Sequence, residues 1–216
     1  MKVKIISLIC LAAAGFCSCI GVSMDISINN NGSGSISLEY RVSEILESIG
    51  RLDGNENRPA IPAGKTDFER SVARIPGLRL VSYSSKYVPV KGSASGGRDL
   101  VTKVVLDFSN TDALISFLSS SRASLVKENN KNILRLALKD TAAAAGNKDL
   151  KTLVKDVSGG YEINISLRTP RNADLTVIPP VIPPAIIVSG GKKVSFNISL
   201  ADLLEKEEGL ILEIKW

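Results

Sequence analysis

The strongest constraint on the fold is an alternation of aliphatic and small polar residues that begins at residue 22. Val22, Met24, Ile26 and Ile28 alternate with Ser23, Asp25 and Ser27, and Ile36, Leu38 and Tyr40 alternate with Ser35, Ser37, Glu39 and Arg41. A period of two sends the apolar residues to one face of a strand and the polar ones to the other. Between the two runs lies Asn29-Asn30-Asn31-Gly32-Ser33-Gly34, and Asn and Gly supply the positive φ that tight hairpins need. A chain that opens in this way must build a sheet with one buried face.

Helical spacing enters between the strands. Val42, Ile45, Leu46 and Ile49 stand at i, i+3, i+4 and i+7, with Gly50 placed to end that helix. After a polar loop over 51–65, Thr66 and Glu69 have capping-box spacing ahead of Phe68, Val72 and Ile75, and Pro76-Gly77 stops the run. A strand is expected over 78–88, then a Ser/Gly loop from Lys91 to Gly97. Residues 99–108 carry Thr102, Val104, Leu106 and Phe108 on one side and Val101 and Val105 on the other, the pattern of a central strand. Ser109 and Asp112 then suit the start of a helix presenting Leu114, Phe117 and Leu118.

The second half repeats these devices. Ser124–Lys127, a turn at Asn129-Asn130, and alternating Leu134, Leu136 and Leu138 predict another hairpin. Lys139–Asn147 is Ala-rich, a candidate hinge or first helical turn, and Leu150, Leu153, Val154 and Val157 have helical spacing. Strands are expected around Tyr161–Leu167, Val194–Leu200 and Leu210–Trp216, with Ser199 and Asp202 as a cap pair for a short helix through Leu203 and Leu204. Strands mixed with short helices predict an α+β fold: an antiparallel or mixed sheet of hairpins with several short helices packed on it. We expect one domain over residues 19–216, with 140–147 the place where it would subdivide.

Upstream of the first strand, Lys2 and Lys4 precede an apolar run from Ile5 to Phe16. That is the order of a secretory signal peptide, too short and wrongly flanked for a membrane span. Its end, Phe16-Cys17-Ser18-Cys19, resembles a bacterial lipobox. The resemblance implies removal of residues 1–18, diacylglycerol on the Cys19 thiol, and fatty acyl chains such as palmitate at the new terminus. The protein is then expected in the bacterial cell envelope, lipid-anchored to the inner or outer membrane.

Removing residues 1–18 leaves 198 residues and lowers the formal charge from +5 to +3, because Lys2 and Lys4 leave with no acid. This mild excess without a basic block argues against a nucleic-acid partner. All three cysteines (Cys10, Cys17 and Cys19) lie in or beside the leader, and histidine is absent. An internal disulfide, a thiolate metal cluster and any Ser-His-Asp or Cys-His apparatus are thereby excluded from residues 20–216. No metal site, no cofactor and no catalytic residue is expected.

Four local patterns fail on chemistry. Gly64-Lys65-Thr66 looks like the end of a phosphate-binding loop, with Val104–Asp107 as its magnesium strand. Five residues before Gly64, however, stands Pro59, which has no amide proton to offer a phosphate. Asp53, Asn55 and Asn57 open like a calcium loop, but Arg58 replaces the sharp-turn glycine and Gly64 the last acidic ligand. Gly92–Gly96 has Ala94 where a nucleophile elbow needs a nucleophile. Glu207 and Glu208, adjacent in sequence, diverge rather than pair across a sugar.

Leu175–Val188 is the segment with an unexplained composition. It has no charge and holds Ile178-Pro179-Pro180 and Ile182-Pro183-Pro184. One reading is an edge strand or kinked crossover that packs its valines and isoleucines into the core, with the prolines blocking edge-to-edge pairing. The other is an apolar contact loop, with Ile178, Val181, Ile182 and Ile186 touching lipid, a ligand or a partner. The segment is too short and proline-rich to span a bilayer as a helix.

The lipobox cysteine running straight into a strand, the Asn-Gly-Ser-Gly turn followed by Ile-Ser-Leu-Glu-Tyr, and the late aliphatic strands closing in Glu213-Ile-Lys-Trp216 resemble LppM-type bacterial lipoproteins. That resemblance implies a membrane-tethered α+β domain of non-enzymatic character that handles lipid or glycolipid. The expected function is an interaction or structural module held at the membrane by acylated Cys19, with a protein partner. The alternatives are a carrier of a lipid or other apolar ligand, which requires an interior cavity beneath the sheet, and a carboxylate-based hydrolase.

Overall fold

The structure, a computed structural model, describes residues 20–44, 64–90, 97–118, 123–129, 131–139, 160–180, 185–205 and 209–216. The strands are β1 (Ile20–Ile28), β2 (Gly34–Ser43), β3 (Leu78–Pro89), β4 (Arg98–Phe108), β5 (Ala123–Glu128) and β6 (Lys131–Lys139), then β7 (Glu162–Arg168), β8 (Asp174–Ile178), β9 (Ile186–Val188), β10 (Lys193–Ser199) and β11 (Leu210–Lys215). The helices are α1 (Lys65–Val72), α2 (Thr111–Leu118) and α3 (Leu200–Glu205). Strand dominates, so the α+β expectation holds in its coarse form: antiparallel and mixed sheets with short helices.

A seven-stranded sheet runs β3-β4-β2-β1-β7-β10-β9, and a four-stranded sheet runs β5-β6-β11-β8. All pairings are antiparallel except β1 with β7, which is parallel. The predicted hairpin of β1 and β2 forms in full register, with Ile26 opposite Ile36 and Met24 opposite Leu38. A slip of one residue would turn every one of these aliphatics to solvent, so the alternation itself specifies the register.

Both sheets feed one hydrophobic cluster. Ile26, Ile36, Leu106, Leu167 and Ile198 come from the larger sheet, and Leu134, Val177, Leu210 and Leu212 from the smaller. Phe68 of α1 stacks between Tyr40 of β2 (centroids 6.5 Å apart) and Tyr83 of β3 (5.7 Å), which pins α1 to the inner face. Burying that ring contributes about 2–3 kcal/mol. The outer face of the larger sheet is polar: Glu39 pairs with Lys103 at 2.7 Å and Arg41 at 3.0 Å, and Arg79 with Asp107 at 2.6 Å.

Several local expectations are corrected. Val42 does not open a helix; it is still in β2, opposite Leu100 and Ile20, and buried. Thr66 is not a cap, because α1 already begins at Lys65 and its extended cap residue is Gly64. The cap of α2 is Asn110 rather than Ser109: the Asn110 side-chain oxygen accepts the Ala113 amide at 2.9 Å. The Ser109 amide instead donates to the Gly77 carbonyl at 2.8 Å, tying the start of β3 to the end of β4. Ser199 does cap α3, accepting the Asp202 amide at 3.0 Å and donating back to the Asp202 carboxylate. The expected helices at 45–49 and 150–157, and the Ala-rich stretch, lie outside the described residues.

Candidate functional site at the Ile20 end of the sheet

Strand direction divides the larger sheet into two ends. At one end β1 begins, directly after Cys19, and register carries Ile20 to Val42, Leu100 and Tyr87 across β2, β4 and β3. At the other end lie the 29–33 turn and the pairing of Asn132 with Trp216, whose main chains exchange hydrogen bonds of 2.8 and 3.0 Å. Because β1 has three strands on either side, the acylation candidate leads into the middle of the sheet.

The Ile20 end is tied together by polar contacts. Tyr161, just before β7, donates its hydroxyl hydrogen to Asp99 of β4 at 2.7 Å. Its ring crosses Gly21, where an added Cβ would lie 3.2 Å from a ring carbon. Arg98 donates two hydrogen bonds to Glu44, at 2.6 and 3.0 Å, and its guanidinium sits 5.1 Å from the centre of the Tyr87 ring. The Arg98 hydrogen bond holds the Glu44 carboxyl below its ordinary range and raises the guanidinium in turn.

Of the residues singled out from the sequence, Cys19, Val181 and Ile182 lie outside the described residues. Ile178, at the end of β8, is 44% exposed, and Ile186, at the start of β9, is 63% exposed. Ile187 and Val188 complete β9, an edge strand whose apolar side chains are exposed rather than packed into the core, whereas Leu175 and Val177 of β8, the edge strand of the smaller sheet, are buried. Tyr87 (44%) and Val90 (38%) are also exposed, at the opposite edge of the sheet. No periodic signal marked them, since Tyr87 follows Ser82, Ser84, Ser85 and Lys86 along β3.

The other local patterns are structural. Lys65 pairs with Glu69 along α1 at 3.5 Å, and the Val104–Asp107 strand is flanked by antiparallel partners, with Asp107 held by Arg79. The motifs at 53–57, 92–96 and 207–208 fall outside the described residues. Glu39 and Glu213 are pulled below the ordinary carboxylate range by hydrogen bonds from Lys103 and Lys215 respectively, and then by Arg41 and Arg135. A glycosidase acid needs the opposite shift.

Two cavities open at the turn end. One, of about 540 Å³, is lined by Asn30, Lys127, Asn132, Pro170, Arg171 and Trp216, residues drawn from five separate chain segments and thus invisible to any local pattern. The other, of about 360 Å³, lies between the 29–33 turn and Asp107. Both have mainly polar linings and open to the surface, unlike the apolar chamber that a lipid carrier requires. No family model matches the chain, and no curated protein is significantly similar to it.

Proposed function

We propose that this chain is an exported lipoprotein, anchored in a membrane of the bacterial cell envelope through acylated Cys19, whose β-rich domain is a non-catalytic interaction or structural module. The observation that carries the reading is the direct passage from the lipobox cysteine into β1 at Ile20, in the middle of the larger sheet. With no linker between them, an anchor at Cys19 holds the whole domain against the lipid surface. The carboxylates Glu39, Glu44, Asp107 and Glu213 are each spent on a basic partner, which supports binding over acid–base chemistry. The likeness to LppM-type lipoproteins belongs to the same proposal, and no binding residue is carried across from it.

Metabolic labelling with palmitate and partition into a detergent phase test the anchor. The wild-type chain takes up label and enters the detergent phase, and Cys19→Ser does neither. A Cys19→Ser variant that stays with membranes and needs detergent for extraction overturns the reading.

A further inference from the structure

We propose that the β3–β4 end of the sheet, presenting Tyr87 and Val90, rests in the lipid headgroup layer as a second membrane contact beside Cys19. The inference rests on the lipoprotein reading and adds a contact and an orientation to it. Ile20 is level with Tyr87 by register, so Val90 stands three residues beyond the first residue of β1. At about 3.3 Å per residue, Val90 lies about 10 Å past Ile20, on the side from which the chain enters β1. The Val90 amide still donates to the Gly97 carbonyl at 2.9 Å, so the two chains remain paired at that point.

Lateral reach is equally short. β3 is three strands from β1, about 14 Å at the usual strand spacing. The interfacial layer on each side of a bilayer is about 5–8 Å thick, and one residue of chain, at most about 3.6 Å, separates Ile20 from the anchor. A group about 10 Å past Ile20 and about 14 Å aside therefore comes within reach of that layer. The exposed groups there suit that layer. Tyr87 is an amphipathic ring of the kind enriched at membrane interfaces, Val90 is apolar, and Arg98 is neutralised by Glu44 while stacked on Tyr87.

The exposed strand at the other edge sits differently. Ile186 is level with Asn197, Asn164 and Ser23, three residues to the far side of Ile20. That places it about 10 Å from Ile20, away from the lipid side. Touching lipid with Ile186 would require a steep tilt that lifts β3 clear, so the two edges are alternatives.

The test uses the full-length acylated protein, whose sole remaining sulfur nucleophile is consumed by the anchor. Val90→Cys, Tyr87→Cys, Ile186→Cys and Asn30→Cys are each labelled with an environment-sensitive fluorophore. Each is reconstituted in phosphatidylethanolamine/phosphatidylglycerol vesicles with or without lipid bearing a shallow nitroxide. Labels at 90 and 87 are expected to be quenched by about twofold or more and shielded from iodide, and labels at 186 and 30 to behave as in water. Vesicle-bound protein whose label at 90 is no more quenched than that at 30, or is less quenched than that at 186, overturns the second contact alone. Failure of the wild-type protein to float with vesicles overturns the anchor reading and this inference together.

Discussion

Tyr161 donates its phenolic hydrogen to Asp99 at 2.7 Å, although β1 and β2 separate β4, which carries Asp99, from β7, which Tyr161 immediately precedes. The ring passes over Gly21, the second residue of β1, and the acceptor is a carboxylate only 6% exposed. This clasp binds β4, β2, β1 and the start of β7 together at the end where β1 begins. Removing the donor with Tyr161→Phe should cost about 1–3 kcal/mol, the penalty of a buried polar group losing its partner. Urea denaturation checks it; a loss under 0.5 kcal/mol would show that water replaces the phenol at about equal strength.

Gly34 leaves no room for a side chain. A Cβ there would lie 1.8 Å from the Ser27 carbonyl oxygen and 2.5 Å from the Phe108 ring. Backbone cannot retreat as a ring tip can, so Gly34→Ala should destabilise by more than about 2 kcal/mol. Gly21→Ala, whose nearest neighbour is the Tyr161 ring at 3.2 Å, should cost distinctly less. Thermal melts of the two variants, side by side, give the ranking.

Acid should weaken the fold through Glu39 and Glu213. Their folded pKa values lie below the ordinary 4.5, so their contribution is complete above about pH 4.5 and is lost as pH falls through the lower folded values. Melting temperature is expected to fall as the pH drops below that point. Glu213→Gln, which keeps the shape but not the charge, should flatten the decline while lowering stability at pH 7. An unchanged acid limb would remove Glu213 from the account.

At high pH the responsible group is Tyr40. Burial pushes its phenol up to about 12 from 10.0, so the neutral ring stabilises the fold fully below pH 10. That contribution is lost as pH rises through about 12. Tyr40→Phe should show a shallower loss of stability between pH 10 and 12, read as chemical-denaturation midpoints. Its cost at neutral pH includes the hydrogen bond between Tyr40 and Thr102, itself wholly buried.

What could be read from local pattern, and what could not, divides along sequence separation. The β1–β2 and β5–β6 hairpins were legible because alternation and an Asn/Gly turn act within about twenty residues. Cap assignment failed at Thr66 and Ser109 because neighbouring Gly64 and Asn110 were equally able to start a helix, and backbone geometry selected them. Val42 followed helical spacing yet stayed in β2, where pairing to Leu100 on one side and Ile20 on the other outweighs propensity. At the candidate site, Ile178 and Ile186 stand exposed in a segment that its composition singles out, whereas Tyr87 and Val90 carried no mark.

By itself the sequence determined that the chain is built on strands with one apolar face, and that neither histidine nor internal cysteine chemistry is available to it. It also supplies the lipobox pattern on which the anchor proposal stands. Only the tertiary structure decided that β1 lies in the middle of the larger sheet, pairing in parallel with β7 across 141 residues of chain, as in the contact of Ser23 with Asn164. The same is true of the clasp from Tyr161 to Asp99 and of the level at which Tyr87 stands relative to Ile20. The physical reason is that alternation specifies which face of a strand is buried, while the choice of neighbour depends on closing long loops around a shared core.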